Sequence, residues 1–125
     1  MATTGAQNVA IGPYALNAKY SSFTVNDETT KFQMAISGYS GDATDQMKRH
    51  SGRKFSTFDQ DNDGYSSQNC ANYADGARWF YGCYTVNMNG PFDALLNQHK
   101  WKSIWWGSDH HDGRMMFSEI KVRRN

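Results

Sequence analysis

Cysteine and proline are scarce in this 125-residue chain, with two of each. Two cysteines exclude a zinc module built on several thiolates and a small scaffold held by multiple bridges. The spacing C-x12-C, from Cys70 to Cys83, also matches no zinc-ligand pattern. What remains is one disulfide or two free thiols. The bridge is the favoured reading: it closes a short loop, worth about 3 kcal/mol by chain entropy, and it implies an oxidising compartment. Long apolar runs are also missing, and mean hydropathy is −0.78. No stretch reaches the roughly 20 apolar residues of a membrane-spanning helix, and none reads as a secretory signal, so no membrane insertion is expected. Excess charge of one sign is absent too. Thirteen Lys and Arg against twelve Asp and Glu leave a net charge of +1, without the basic footprint of a nucleic-acid binder. Lys121, Arg123 and Arg124 gather near the end, where they read as the solvated face of a terminal strand. No nucleophile–base pair and no Gly-rich phosphate loop stands out, so an enzyme is not expected.

What is present is aromatic and loop-rich: 14% aromatic residues, 38% hydrophobic residues and eleven glycines. The length suits one domain with a modest core. Residues 20–25 (YSSFTV) and 32–37 (FQMAIS) are short β-prone runs, and the turn-like segment Asn26–Lys31 predicts a hairpin. Phe32, Met34 and Ile36 alternate with Lys31, Gln33 and Ala35, which suits one buried face. Asp45–His50 reads as one helical turn and Asp93–Gln98 as a short helix. Met116–Arg124 reads as a terminal strand paired with the early hairpin. Most of Trp79, Phe80, Trp101, Trp105 and Trp106 are expected in the core, since a loop-rich domain must bury large side chains. His110 and His111 read as solvated turn residues, and His50 and His99 receive no role.

The densest information lies in DQDNDGYSSQNCANYADGARWFYGC, from Asp59 to Cys83. Asp59, Asp61 and Asp63 alternate, so a turning backbone can direct their carboxylates at one hard cation. Gly64 permits the turn, and following carbonyls can complete an oxygen cage of the kind Ca2+ prefers. An EF-hand opens the same way but requires a glutamate at its twelfth position, which here is Cys70. A solvated Asx-rich turn has a similar composition. The neighbouring cysteines favour a metal loop.

The ordered combination FSTFDQDND, NCA, ARWFYGC, VNMNGPF and SEIKVR resembles the C-terminal half of a fibrinogen-related (fibrinogen C-terminal-like) domain, similar to ficolins, tachylectins and angiopoietin-like proteins. The resemblance covers about residues 18–124. It implies an α+β fold with a small antiparallel sheet and a loop-rich calcium-binding subdomain, truncated relative to the full family domain. Aligning FSTFDQDND on the family pattern implies calcium ligation by the Asp61 and Asp63 side chains and by carbonyls at about Tyr65 and Ser67. Asp59 becomes a neighbour, and the family disulfide falls on Cys70–Cys83. The family's lectin members hold an acetyl group beside that disulfide, between a backbone N–H ahead of the second cysteine and an aromatic funnel. Carried across, that pocket would comprise Gly82, Cys83, Tyr84, Tyr73 and Tyr81, with Trp101 or Trp105. Tyr84 stands where many lectin members have histidine, and Gly82 where a basic or amide residue is frequent.

The resemblance implies a secreted, non-enzymatic module with Ca2+ as cofactor. Its expected partner is an acetylated carbohydrate or cell-surface glycan; the alternative is a protein receptor. Residues 1–17 read separately, as a leader or an adhesin-head-like segment, because NVAIGPYAL resembles one turn of the head repeat of trimeric adhesins and tail fibres. That likeness implies a possible homo-oligomer, a trimer.

Overall fold

The computed structural model describes residues 7–11, 16–83, 85–91, 104–107 and 118–124, with backbone alone for 7–11 and 16. Its largest element is an antiparallel sheet of four strands in the order β3–β2–β1–β8. These are β1 (Gln7–Ile11), β2 (Leu16–Val25), β3 (Met34–Gly41) and β8 (Ile120–Lys121). Two short strand pairs complete the sheets: β4 (Phe55–Ser56) with β5 (Arg78–Trp79), and β6 (Val86–Asn87) with β7 (Trp105–Trp106). One α-helix, α1 (Cys70–Ala74), lies among the described residues, with two 3-10 turns at Glu28–Thr30 and Lys48–His50. The architecture is α+β with a small antiparallel sheet, as the sequence indicates.

The expected hairpin is β2–β3, in register Val25↔Met34 through Tyr20↔Tyr39. Its turn is held by Asp27, which accepts the Thr29 N–H at 3.1 Å, and is closed by the Asn26 N–H to the Gln33 carbonyl at 2.9 Å. Met34 and Ile36 are buried as anticipated, but Phe32 is 46% exposed. It stands in the turn at φ 54°, following Lys31 at φ 59°, so the strand alternation has not yet begun. The terminal strand also differs from expectation. It pairs with β1 (Val9↔Ile120), which separates it from the hairpin. The segment Gln7–Ile11 thus occupies the interior of the sheet, and the sheet runs across the boundary expected at residue 17.

Burial along the hairpin changes phase midway. On β2 the buried positions are Ala18 and Tyr20 and then Phe23; on β3 they are Met34 and Ile36 and then, half-buried, Tyr39. The shift occurs opposite Ser21, at Gly38, whose φ is +72° and where an added Cβ would stand 1.8 Å from the Ser21 Oγ. Gly38→Ala should therefore cost about 2–3 kcal/mol, the sum of left-handed strain and overlap. Gly52→Ala, at φ +81° with nothing within 4 Å, should cost only the strain, about 1 kcal/mol. Urea unfolding of both variants checks this; equal losses would refute the steric account.

Behind the sheet, Ala18, Tyr20, Phe23, Met34 and Ile36 pack with Met47, Val86, Met88 and Trp106. Asp45 accepts the Tyr20 hydroxyl at 2.7 Å, which fixes the connection after β3 on this core. The helical turn expected at 45–50 is a 3-10 turn at Lys48–His50. A smaller cluster of Cys70, Ala71, Ala74 and Phe80 seats α1. Of the aromatics expected in the core, Phe80 and Trp106 are buried. Trp79 is half-buried, edge-on to Phe23 and Phe55 at 6.2 and 5.0 Å. The helix expected at Asp93–Gln98, Trp101, His99, His110, His111 and residues Met116–Phe117 lie outside the described residues. No helix among the described residues is long and apolar enough to cross a membrane.

A candidate binding cleft beside an acidic loop

The pairing of β4 with β5 (Phe55↔Trp79, Ser56↔Arg78) makes the intervening segment a closed excursion, so its loop and helix fold against each other. The buried Ser56 Oγ accepts the Asn62 N–H at 2.9 Å, and the Asn62 side chain donates to the Phe55 carbonyl at 2.9 Å. These bonds fold the acidic loop back onto its own strand. Asn69 then caps α1, accepting the Asn72 N–H at 3.1 Å. An N-cap of this kind supplies an acceptor for a helix N–H that would otherwise lack one.

Within the loop, Asp61 Oδ1 accepts the Asp63 N–H at 3.1 Å, while Asp63 Oδ1 accepts the Tyr65 N–H at 2.7 Å. Asp63 Oδ2 accepts the Cys70 N–H at 2.8 Å, which ties the loop to the first residue of α1. The Asp63 carboxyl is raised above the ordinary carboxylate range, by burial first; the bonded and negatively charged Asp61 adds to this, while the Cys70 and Tyr65 N–H groups pull the other way. Two hard carboxylates whose proximity disfavours shared negative charge are a donor set that fits Ca2+. Asp59 is engaged otherwise, accepting the Thr57 hydroxyl at 2.6 Å. Among the described residues no group of three or more His, Cys, Asp or Glu could hold a metal, so a cation here would need oxygen donors besides Asp61 and Asp63, for which backbone carbonyls suffice. Tyr65 and Ser67 lie exposed on the same loop.

Cys70 and Cys83 are joined by a disulfide, which resolves the choice that the sequence left open. The bridge forms one wall of an open cleft of about 460 Å³, lined by Tyr65, Gln68, Tyr73, Tyr81, Gly82 and Cys83. Tyr73, Tyr81, Gly82 and Cys83 of the expected pocket therefore converge. Tyr84 and Trp101 lie outside the described residues, and Trp105 sits in β7, paired with Asn87. The acidic loop reaches this cleft twice: through Asp63 to Cys70, and through the Gly64 N–H to the Tyr81 carbonyl at 2.8 Å.

Sequence reasoning missed two contributors. Gln68 lines the cleft and donates weakly to the Cys83 sulfur at 3.6 Å. His50, given no role, is fully buried behind the cleft. Its Nδ1 lies 2.7 Å from the Trp79 carbonyl and its Nε2 accepts the Thr85 N–H at 3.3 Å, so it grips the backbone on both sides of Tyr81–Cys83. Its ring also meets Tyr81 edge-on at 5.1 Å. An isolated histidine with no motif around it carries no sequence signal for such a post; only the fold brings residues 50, 79 and 85 together.

Comparison with known proteins identifies the fold and the family. The family profile of the C-terminal globular domain of fibrinogen beta and gamma chains matches residues 9–125. Tenascin of Gallus gallus is 40% identical over 106 residues, covering 85% of this chain and 6% of that protein. Fibrinogen C domain-containing protein 1 of Xenopus tropicalis is 39% identical over 108 residues, covering 81% of this chain and 22% of that protein. The fibrinogen-like globe domain of human ANGPTL6 superposes with a TM-score of 0.87 at 25% identity, over 98% of this chain and 58% of that one. The chain thus spans only a small part of these curated relatives and little more than half of a solved globe domain. With the fold, the disulfide and the match across residues 9–125 in agreement, the chain belongs to the fibrinogen C-terminal globular domain family.

Proposed function

We propose that this chain is an extracellular, non-enzymatic recognition module that binds a small acetylated group, as on an N-acetylated sugar, in the tyrosine-lined cleft. The observation carrying this reading is the convergence of Tyr73, Tyr81, Gly82 and Cys83 on one open cleft, joined to the acidic loop by the Asp63–Cys70 bond. Aromatic walls with a few backbone donors suit a ligand that presents a methyl beside a carbonyl oxygen. Asp61 and Asp63, with the Tyr65 and Ser67 carbonyls, are the residues that would hold Ca2+. The ion would neutralise two close carboxylates and stiffen the loop. Asp63 and Gly64 carry that stiffness to Cys70 and Tyr81, so binding should depend on calcium.

A second reading, docking on a partner protein, is favoured by the exposure of Tyr65 and Tyr73 at the mouth of the cleft. Tyrosine is enriched at protein interfaces because it buries much area and keeps a polar tip. Calorimetric titration with N-acetylglucosamine, with calcium and again with excess chelator, separates the two. Binding that requires calcium supports the acetyl reading. A folded protein that binds in neither condition favours the protein partner. In parallel, Asp61→Ala should abolish the calcium-induced rise in melting temperature; an unchanged rise would remove the metal assignment.

A further inference from the structure

A second cleft, of about 550 Å³, opens between the turn at Thr57–Gln60 and α1, and shares no lining residue with the first. The turn is closed by reciprocal backbone bonds between Thr57 and Gln60, at 3.0 and 3.2 Å. Asn69 braces it by donating to the Phe58 carbonyl at 3.1 Å. Yet the Phe58 ring on this braced turn is 77% exposed. The cleft beneath it has Ala71, Gly76 and Ala77 on its floor, and the exposed Asp59 and Asp75 add two carboxylates, each already engaged, Asp59 by the Thr57 hydroxyl at 2.6 Å. An aromatic ring held out in solvent by a braced turn, beside an apolar floor and two acids, suits a segment bearing both an aliphatic side chain and cations. An arginine can serve both functions, since its guanidinium binds carboxylates and also lies over aromatic faces.

The protein itself carries such a segment. Ile120, Lys121, Val122, Arg123 and Arg124 are all exposed: the first two form β8 at the edge of the sheet, the other three follow it, and Lys121 pairs with Glu119 at 3.2 Å, so Arg123 and Arg124 carry the segment's remaining positive charge. The pairing Val9↔Ile120 and Asn8↔Lys121 holds the start of this segment in its own sheet. The terminal residues are thus displayed outward, with the charge and apolar pattern opposite to that of the cleft. We propose that the Phe58 cleft is a docking site for the basic segment Ile120–Arg124 of a second copy of this chain. The contact is head-to-tail: cleft and segment are different surfaces, so each copy offers one of each. Such contacts close into rings or extend into chains, depending on the rotation between copies.

The test is titration of the synthetic peptide SEIKVRRN, corresponding to residues 118–125, into the isotope-labelled whole chain, followed by amide NMR shifts. Shifts should map to Thr57–Gln60 and Ala71–Ala77, weaken about fivefold or more between roughly 0.05 and 0.5 M salt, and vanish in Phe58→Ser, a substitution at an exposed site. In the whole chain, sedimentation velocity should show concentration-dependent association that is lost in Arg123→Glu/Arg124→Glu. The proposal is overturned if the peptide shifts nothing at millimolar concentration or shifts Tyr73 and Tyr81 instead. Association that persists in the double glutamate variant overturns it equally.

Discussion

Replacing Cys70 and Cys83 together by alanine should lower the melting temperature by on the order of 10 °C and abolish binding in the tyrosine cleft. The stability loss has two sources. The bridge spans a sequence separation of 13 residues, and releasing such a loop in the unfolded state is worth about 3 kcal/mol in the entropy model. Cys70 is also fully buried against Ala71, Ala74 and Phe80, so truncating its sulfur leaves unfilled space there. Against the 5–15 kcal/mol typical of a whole domain, a loss of about 3–4 kcal/mol leaves the protein folded at room temperature but much less resistant to heat. The functional loss follows from position: Cys83 is part of the cleft wall, and the Cys70 N–H is the donor that Asp63 uses to hold the acidic loop against it. Calorimetric melting of the variant, and of the unmodified protein with a dithiol reductant, checks the prediction. A melting point unchanged in both would show that the bridge contributes nothing. A loss of stability with ligand binding intact would separate the cleft from its wall.

How much of this can be read from the sequence differs from element to element, for physical reasons. The hairpin is legible because Met34 and Ile36 alternate with the smaller or polar Gln33, Ala35 and Ser37 at strand period and the turn residues sit between two β-prone runs. Its ends are not. Phe32 fits the alternation, but backbone geometry at Lys31 and Phe32 removes it from the strand. The phase shift at Gly38 leaves a trace, since Tyr20 to Phe23 and Ile36 to Tyr39 each step by three residues, but that spacing does not say that the strand continues through it. Pairing partners are harder still: a strand records which face it buries but not which neighbour it takes, so the terminal strand, expected on the hairpin, lies on β1. The cleft is the opposite case. Tyr73, Tyr81, Gly82 and Cys83 are legible through the family resemblance, which implies the pocket, and the short disulfide loop between Cys70 and Cys83 keeps them close. His50 supports the same cleft from a distant part of the sequence, at both Trp79 and Thr85, through contacts that no local pattern encodes.

That buried histidine should make the fold acid-sensitive. Its pKa in the folded protein is pushed down to about 3, first by burial, then by the charge of Arg78, with Arg53 adding to this. The bond to the Trp79 carbonyl works the other way. Its hydrogen bonds specify the neutral ring: Nδ1 carries the proton given to Trp79, and Nε2 must stay bare to accept from Thr85. Protonating Nε2 would set one donor against another and place a third positive charge near two arginines. The unfolded histidine titrates near 6.5, so between about 6.5 and 3 the unfolded state binds more protons than the folded one. Stability from this group is therefore complete above the unfolded value and is lost as pH falls toward the folded one, by on the order of 4 kcal/mol in total. Asp63 has the opposite sign, since its raised pKa makes protonation favour the fold, so it offsets part of the decline. Urea unfolding measured from pH 7 to pH 3.5 should show a falling midpoint, and His50→Gln, which keeps one donor and one acceptor, should flatten it. The same charge would loosen the clasp at Trp79 and Thr85 that holds Tyr81 in the cleft wall, so binding should weaken ahead of global unfolding. If His50→Gln retains the full acid slope, the sensitivity lies in the carboxylates and the histidine is an uncharged spacer.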